Sequence, residues 1–593
     1  MKIRWRYGLI AALFLAVFSL YPQMKMFYLR GSEWNGNYAY NDIDEVAYAS
    51  YVRALIDGRP RKNDPYTGKD DSPESPQPES LFSIQFAAPY SIALPARLLG
   101  IGAPWAMTIS GAVAAFLTAL AIFWLLRMTA EDDLFAMAGT LVVLAGGAIF
   151  AGEGAIGEIL RTSYAYPYFP GFRRYIPAMA FPAFFMFVAV IWQMLRDQNK
   201  HLPRIVVALA CFAYFAFSYF YVWTAAVAWL GIAGLLWLGL RPEGWVSALK
   251  RLLILGAGCI MVLVPYAYLL SKRSHTMDDV QMLVRTHSPD LMRVPEFIGI
   301  FVVIVTLSAG VLRIVPLRER LTLFTLSLAL TPLIVFNQQI LTGLQLQPIH
   351  YQVFIGNYVA GLSLVMMVGL IWNTAASRIV AVRRALAAAA ALAAIAWGFV
   401  ECHYTVKILD DVNVDRDEAF PVAARLNELS KGADWHRDVV MHFGMAEADD
   451  LPTLAPQPVL WARHQHVFAG VTWQENKERY YQYLYYLGVR PESLAHGMKN
   501  GTDLVSVIAL FGWGRHTDRL NSEYKPLTYG EIDAEAGLYA KYIASFDPHN
   551  ALPLTYAITE VNSMQDLENI DKWYDRDAGE TFGRYTLYKL DLR

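Results

Sequence analysis

The sequence predicts an α-helical polytopic membrane protein of about eleven transmembrane helices, followed by a water-soluble C-terminal α/β domain. Of its 593 residues, 55% are hydrophobic and 17% are charged, well below the charged content of about 25% in soluble domains. Apolar runs long enough to cross a bilayer recur up to residue 401, after which the composition becomes that of a soluble protein. These observations divide the chain into a transmembrane domain, 1–402, and a soluble domain, 403–593.

The predicted spans follow from apolar runs of about 20 residues. The runs are 8–28, 103–126, 134–151, 176–195, 205–221, 223–240, 252–270, 296–312, 321–338, 353–373 and 385–401. The stretch 205–240 is too long for one span, so we predict a break near residues 219–221. Basic residues precede the first run and no small-residue cleavage site follows it, which is typical of an uncleaved first helix.

The distribution of Lys and Arg predicts the orientation in the membrane. Segments on the side of the N-terminus are rich in these residues, whereas the short loops on the other side hold fewer. Examples on the N-terminal side are Arg127, Arg196, Lys200, Arg204, Arg241, Lys250, Arg251, Arg313, Arg318, Arg320, Arg383 and Arg384. We therefore expect a multi-pass plasma (inner) membrane protein with a cytoplasmic N-terminus and an extracytoplasmic C-terminal domain.

The first outer loop, about 30–102, is unusually long, and long loops are often functional. Its segment 42–56 reads as an amphipathic helix closed by Gly58. The segment 59–79 is rich in Pro, Asp and Ser and predicts a mobile loop. The segment 82–99 is apolar but contains prolines, so we interpret it as a second helix lying along the membrane surface.

The C-terminal domain shows alternating helix and strand patterns, which favour an α/β fold. The strands are predicted at 438–441, 458–461, 554–558 and 585–590, and the helices at 476–487, 503–510 and 529–545.

Net charge and cysteine content exclude several classes of partner. The formal net charge of −2 gives no indication of a nucleic-acid partner. The three cysteines lie in or at the end of apolar runs, which argues against a disulfide framework and against a thiolate metal cluster.

Three carboxylates, Asp42, Asp44 and Glu45, lie within four positions directly after the first span. Such a cluster can hold one carboxylate ready as a general base, or bind a divalent cation such as Mg²⁺ or Mn²⁺. The spacing of Asp42 and Glu45 also fits a capping box at the start of the following helix. The two interpretations are compatible, and capping leaves Asp44 unexplained.

The second outer loop adds further polar candidates. Glu153 and Glu158 are carboxylates at the membrane edge, where a charge is costly, although a solvated loop end explains them equally well. Arginines suit phosphate because the guanidinium fork matches its oxygens, which makes Arg161, Arg173 and Arg174 candidate phosphate ligands. Tyr164 is a candidate sugar contact. An interfacial aromatic belt with snorkelling arginines is the alternative.

A later outer loop, 337–352, contains five Gln residues, one Asn residue and a single His. Gln347 and His350 are candidates for binding sugar hydroxyls or a phosphate, while a lone histidine is more often structural.

These stretches together resemble the GT-C superfamily of integral-membrane glycosyltransferases, of the oligosaccharyltransferase, protein-mannosyltransferase and aminoarabinose-transferase type. Three features carry the resemblance: the acidic motif at 42–48, the short helix ending in Gly58, and the Pro-containing surface helix ending in Gly100. The resemblance is specific over about the first 130 residues. It implies a polyprenyl-phosphate-linked sugar donor, an inverting hexosyl- or pentosyltransferase activity and a catalytic role for Asp42, with Asp44 as the alternative.

The resemblance also implies a glycan, lipid or protein acceptor in a membrane-lipid setting. A metal at Glu153 and Glu158 would follow the oligosaccharyltransferases, but these glutamates are five positions apart instead of a tight acidic pair. The segment 511–516 lacks the acceptor-reading motif of those enzymes, which argues against peptide N-glycosylation. Two other functions stay open, a transporter or flippase for lipid-linked glycans and a non-catalytic membrane scaffold.

Overall fold

A computed structural model of the protein describes residues 3–161, 172–197, 201–276, 284–374, 380–516, 525–561 and 565–593. Within these ranges, eight helices are long and apolar enough to cross a membrane, and three shorter apolar helices accompany them. The eight are Trp5–Glu33, Ala103–Ala130, Phe220–Leu240, Trp245–Leu270, Val294–Val311, Arg320–Asn337, Pro348–Trp372 and Val380–Lys407. The three shorter ones are Asp133–Ala145, Phe181–Arg196 and His201–Ala216.

Each of these helices coincides with one of the predicted apolar runs, which confirms the polytopic helical fold. The predicted break is also confirmed, because His201–Ala216 ends just before Phe220–Leu240 begins. The Pro348–Trp372 segment includes a π-helical turn, Gln352–Gly356, of the kind often found at functional sites.

The first outer loop contains the helices that the sequence predicted. The Glu45–Ile56 helix buries Val46, Ala47 and Tyr51, and the short Leu81–Ile84 and longer Ala87–Leu99 helices follow it. The predicted mobile character of 59–79 is wrong. Tyr66 is fully buried, its carbonyl accepts a hydrogen bond from Val459 N at 2.8 Å, and so the segment is held against the C-terminal domain.

The C-terminal domain is built on a small mixed sheet. Its strands are Val440–His442, Tyr556–Glu560, Glu580–Phe582, Tyr574–Arg576 and Tyr585–Leu592. Val440–His442 and Tyr556–Glu560 pair in parallel. Tyr585–Leu592 pairs antiparallel with Tyr556–Glu560, Tyr574–Arg576 and Glu580–Phe582. The predicted strand at 458–461 is wrong, because this segment forms an isolated bridge between Val459 and Val440 instead.

Helices accompany this sheet, and several of them form a second hydrophobic core that is rich in tyrosine. The helices are Asp410–Glu418, Phe420–Leu429, Met445–Leu454, Trp473–Tyr486, Pro491–Lys499, Leu504–Phe511 and Tyr529–Ala544. Tyr480, Tyr483 and Trp461 pack against one another in this core. The predicted helices at 476–487, 503–510 and 529–545 are therefore confirmed to within a few residues.

Charged residues join the end of the first span to the start of the C-terminal domain. Asp417 is fully buried and accepts hydrogen bonds from Arg30 Nε at 3.0 Å and from the backbone N–H groups of Asn35 and Asn37 at 3.1 Å. A buried carboxylate with several donors is a strong local constraint. This contact orients the chain that leads from the first span into the acidic motif.

The expected topology is tested by labelling substituted cysteines in intact cells. We expect Glu492→Cys, which is exposed in the C-terminal domain, to react with a membrane-impermeant maleimide. Glu243→Cys, exposed between two spans on the predicted cytoplasmic side, should react only after the membrane is permeabilised. The unsubstituted protein is the control for the three native cysteines. Labelling of Glu243→Cys in intact cells would reverse the predicted orientation.

Candidate functional site

The acidic motif forms a tight turn that opens the Glu45–Ile56 helix. Asp42 Oδ1 accepts a hydrogen bond from Asp44 N at 2.9 Å, and the Asp42 carbonyl accepts one from Glu45 N at 3.1 Å. The Glu45 carboxylate accepts one from Asn41 N at 3.1 Å. The predicted capping box between Asp42 and Glu45 is therefore wrong, because each carboxylate bonds to a different neighbour.

Arg173 from the second outer loop lies between the first two carboxylates. Its Nη1 is 2.9 Å from Asp44 Oδ2 and 3.7 Å from Asp42 Oδ1. Its Nε donates to the carbonyl of Ile176 at 2.8 Å. Its guanidinium carbon is 4.1 Å from the ring centre of Phe354, in the π-helical turn. One guanidinium thus links loop one, the second outer loop and a membrane helix.

Two polar atoms at this contact lack a hydrogen-bond partner among the residues that the structure describes. They are Asp42 Oδ2 and Arg173 Nη2. Asp42 is 1% exposed and Arg173 is 2% exposed, so both atoms have been removed from bulk water. An unsatisfied buried polar atom is costly and marks a position where a ligand group can bind.

The neighbouring Arg174 pairs with Glu45 in a second, fully buried contact. Its Nη2 is 2.8 Å from Glu45 Oε2, and its backbone N–H donates to Glu45 Oε1 at 2.6 Å. Thr108 accepts from Arg174 Nη1 at 3.2 Å. Gly111 makes room for the side chain, since a methyl group there would lie 2.6 Å from the Arg174 Cγ and Cδ atoms. This environment favours a positioning role for Glu45 and Arg174 over the predicted catalytic and phosphate-binding roles.

The environments of the two aspartates separate their ionisation. Burial raises the pKa of Asp42 to about 7, the adjacent charge of Asp44 adds to the increase, and Arg173 opposes it. Burial also opposes ionisation of Asp44, but the hydrogen bond from His464 and the charge of Arg173 outweigh it and hold the pKa of Asp44 well below its usual range. Asp42 therefore exchanges a proton near neutral pH, while Asp44 stays charged.

His464, which is not among the residues predicted from the sequence, reaches this site from the C-terminal domain. Its Nε2 is 3.3 Å from Asp44 Oδ1, and its Nδ1 is 2.6 Å from Asp449 Oδ2. Burial lowers the pKa of His464, but the charge of Asp449 and the hydrogen bonds to Asp44 and Asp449 outweigh this and raise it to about 9. The available signal was the basic, His-containing stretch 463–466 directly after an apolar segment.

His350 lies next to Phe354, the ring that Arg173 also contacts. The His350 ring is 5.4 Å from Phe354 and stacks on Tyr221 at 4.6 Å, while its Nδ1 is 2.8 Å from Tyr219 Oη. His350 is partly exposed, whereas Gln347 is buried. Aromatic rings beside a polar group suit the face of a sugar, so His350 stays a candidate donor contact.

The remaining candidates are Arg161, Tyr164, Glu153 and Glu158. Arg161 is exposed, with a left-handed backbone φ of 56°, and Tyr164 lies outside the described residues. Glu158 pairs with Lys407 at 3.0 Å. In the described ranges, no three His, Cys, Asp or Glu side chains come together in a way that suits a metal ion. The roles of Arg161, Tyr164, Glu153 and Glu158, and a divalent cation, remain predictions.

Comparison with known proteins gives structural likenesses but no match in sequence. No protein-family model and no curated protein matches the sequence. Among solved structures, the chain is similar to the crystal structure of ArnT from Cupriavidus metallidurans bound to undecaprenyl phosphate. The two share 11% sequence identity and a TM-score of 0.42, and the alignment covers 97% of each chain. It thus extends over the membrane helices and the C-terminal domain.

The buried Glu45–Arg174 pair predicts a large stability effect. Glu45→Gln leaves the Arg174 charge buried without its partner, and we expect a loss of about 3–5 kcal/mol in the free energy of unfolding. The measurement is thermal and denaturant unfolding in mild detergent. Glu580→Gln, which breaks an exposed pair with Arg425, is the matched control and should change stability little. Equal effects of the two substitutions would contradict the positioning role.

Proposed function

We propose that this protein is a membrane glycosyltransferase of the GT-C type. It transfers a sugar from a polyprenyl-phosphate-linked donor to an acceptor hydroxyl at the extracytoplasmic face. The observation that supports it most directly is the buried Asp42–Arg173 contact. In this contact, Asp42 Oδ2 and Arg173 Nη2 both lack a hydrogen-bond partner among the described residues. A base and a phosphate ligand at the same place are what such a transfer requires.

Asp42 suits the role of general base. A base works best when its pKa lies near the working pH, and burial raises the pKa of Asp42 to about 7. Its Oδ2, which has no hydrogen-bond partner among the described residues, is available to accept the proton of an acceptor hydroxyl. Asp44 is the less suitable base, because its pKa is low and it is paired with Arg173 and His464. Its negative charge holds the guanidinium of Arg173 in place.

Arg173 suits the role of phosphate ligand. Its Nη2 is free of hydrogen bonds within the described part of the chain, and the guanidinium is held rigidly by Asp44 and the Ile176 carbonyl. A rigid donor aimed at developing negative charge stabilises a leaving phosphate without reorganisation. Undecaprenyl phosphate, the lipid bound in the ArnT structure, belongs to the class of carrier that we propose.

The proposed step is a single displacement at the anomeric carbon. The acceptor oxygen attacks this carbon, the bond from carbon to the phosphate oxygen breaks, and its electron pair leaves with the polyprenyl phosphate. The acceptor proton passes to Asp42. The new glycosidic bond forms on the opposite face, so the anomeric configuration inverts. Phosphate is already a good leaving group, and Arg173 lowers the barrier by balancing its growing charge.

Asp42→Asn is the first test of this proposal. The amide keeps the shape of the side chain but cannot take the proton, so we expect transfer to fall by about 10²- to 10⁴-fold. The assay follows radiolabelled sugar from a panel of undecaprenyl-phosphate-linked hexoses and pentoses into membrane acceptors, together with the release of undecaprenyl phosphate.

Asp71→Asn is the matched control for this substitution. Asp71 lies in the same loop and pairs with Lys62 near the surface, so its replacement should leave transfer unchanged. Full activity of a correctly inserted Asp42→Asn protein would reject Asp42 as the base. No sugar transfer by the wild-type protein from any donor of the panel would favour the transporter or scaffold alternatives.

The pH profile gives an independent prediction. The base acts only when it is unprotonated, so we expect activity to fall as the pH decreases through about 7, the pKa of Asp42. We call this fall in activity the acid limb of the pH profile. Because the charge of Asp44 raises the pKa of Asp42, Asp44→Asn should move the acid limb to lower pH. The measurement is kcat/KM against pH for both proteins, because this ratio reports the groups of the free enzyme. An unchanged limb in Asp44→Asn would exclude Asp42 as the titrating group.

A further inference from the structure

Two consecutive aspartates in the Met445–Leu454 helix connect the C-terminal domain to loop one. Asp450 accepts hydrogen bonds from Tyr40 Oη at 3.0 Å, from Asn37 Nδ2 at 2.9 Å and from Arg416 Nη2 at 2.6 Å. All of these groups are buried. The contact docks the helix against the chain that leads directly into the acidic motif.

The preceding residue, Asp449, turns toward His464 instead. Its Oδ2 is 2.6 Å from His464 Nδ1, and its Oδ1 accepts the His464 backbone N–H at 3.1 Å. Tyr66 of loop one donates to the Asp449 carbonyl at 3.2 Å. The imidazole is 3% exposed, and its contact with Asp449 through Nδ1 fixes the orientation of the ring. Its other nitrogen, Nε2, points to Asp44 Oδ1 at 3.3 Å.

We propose that His464 is a positioning residue of the transferase site, donating Nε2–H to Asp44 under the control of Asp449, so that the C-terminal domain forms part of the active site. This inference rests on the proposed function. It assigns to the C-terminal domain a direct electrostatic contribution to the reacting groups, in addition to any part in acceptor binding.

Charge balance gives the physical reason for this arrangement. Asp42 and Asp44 share one arginine, and Arg173 alone cannot neutralise both of them and also a donor phosphate. A second cation on Asp44 leaves the remaining N–H of Arg173 available for the phosphate. In a buried site of low dielectric constant, the interaction energy of this additional positive charge with Asp44 is far larger than it would be at the surface.

Among the other charged and titratable groups near His464, the charge of Arg463 also lowers the pKa of Asp44, with a smaller effect than the hydrogen bond from His464. Arg463 has its guanidinium 5.4 Å from the ring centre of Trp513. His466 accepts a hydrogen bond from Trp513 Nε1 at 2.7 Å, and burial lowers its pKa to about 3, so it stays neutral. His464 thus supplies the cation that contacts Asp44 from the C-terminal domain, while Arg173 contacts it from the second outer loop.

The test compares His464→Gln and Asp449→Asn with wild type in the undecaprenyl-phosphate-sugar assay. Loss of the cation leaves the Asp44 charge less compensated, which disfavours a second negative charge on Asp42. We expect kcat to fall by about tenfold or more and the acid limb to move upward by about one pH unit in His464→Gln. Asp449→Asn retains the imidazole but weakens its charge, and should shift the limb by less in the same direction.

His549→Gln is the matched control. His549 pairs with Asp547 at 3.1 Å in the same domain, but on the surface, so its loss should leave kcat and the pH profile unchanged. A purely structural role for His464 would lower the amount of folded protein without moving the limb. Wild-type kcat and an unmoved limb in folded His464→Gln would overturn the inference.

A second measurement tests the contact without any activity. In a double-mutant cycle on the thermal midpoint, His464→Gln should lower Tm in the wild-type background and lower it less in the Asp44→Asn background, because the partner is already lost. Equal decreases in both backgrounds would overturn the contact. If the cycle shows coupling but wild type transfers no sugar, the proposed function fails while the contact stands.

Discussion

The burial of the Glu45–Arg174 ion pair is the constraint on which the candidate site depends. Removing two charges from water is expensive, and the cost is recovered only when the geometry is good and further hydrogen bonds are present. Here the backbone N–H of Arg174 and that of Asn41 also bond to Glu45, and Thr108 and Gly111 shape the space for the guanidinium. Because Arg174 is fixed in this way, the adjacent Arg173 lies beside Asp42 and Asp44.

The same residue types serve different purposes because their surroundings differ. Glu45 and Asp450 have their oxygens occupied by several buried donors and act as anchors. Asp44 is paired with Arg173 and His464 and remains ionised, whereas Asp42 has a pKa near neutrality and one oxygen without a hydrogen-bond partner in the described part of the chain. Carboxylates whose environments drive their pKa values apart are the usual way in which a site divides acid–base roles.

The C-terminal domain is integrated with the membrane part through loop one. Arg30, at the end of the first span, and Tyr40, next to the acidic motif, both bond to buried aspartates of that domain. Arg416 adds a cation–π contact, with its guanidinium carbon 3.2 Å from the ring centre of Tyr40. Movement of this domain would therefore change the position of the acidic motif.

The sequence by itself determined the membrane helices, the break before Phe220 and the helices of loop one. It also indicated the acidic motif as the candidate site. These features depend on local properties, namely the length of an apolar run, its periodicity and its position relative to the first span. The sequence also indicated arginines of the second outer loop as partners for the motif, without distinguishing Arg173 from Arg161 and Arg174.

Only the tertiary structure decided which side chains meet. Arg174 and Glu45 are 129 residues apart, and His464 and Asp44 are 420 apart, so no local pattern encodes either contact. The capping box and the mobile loop were wrong for the same reason. Glu45 pairs with the buried Arg174 instead of forming a capping box with Asp42. The segment 59–79 is held by backbone and side-chain contacts from the C-terminal domain. Long-range burial outweighs local preference, because an unpaired charge or backbone group inside the protein costs more than a cap contributes.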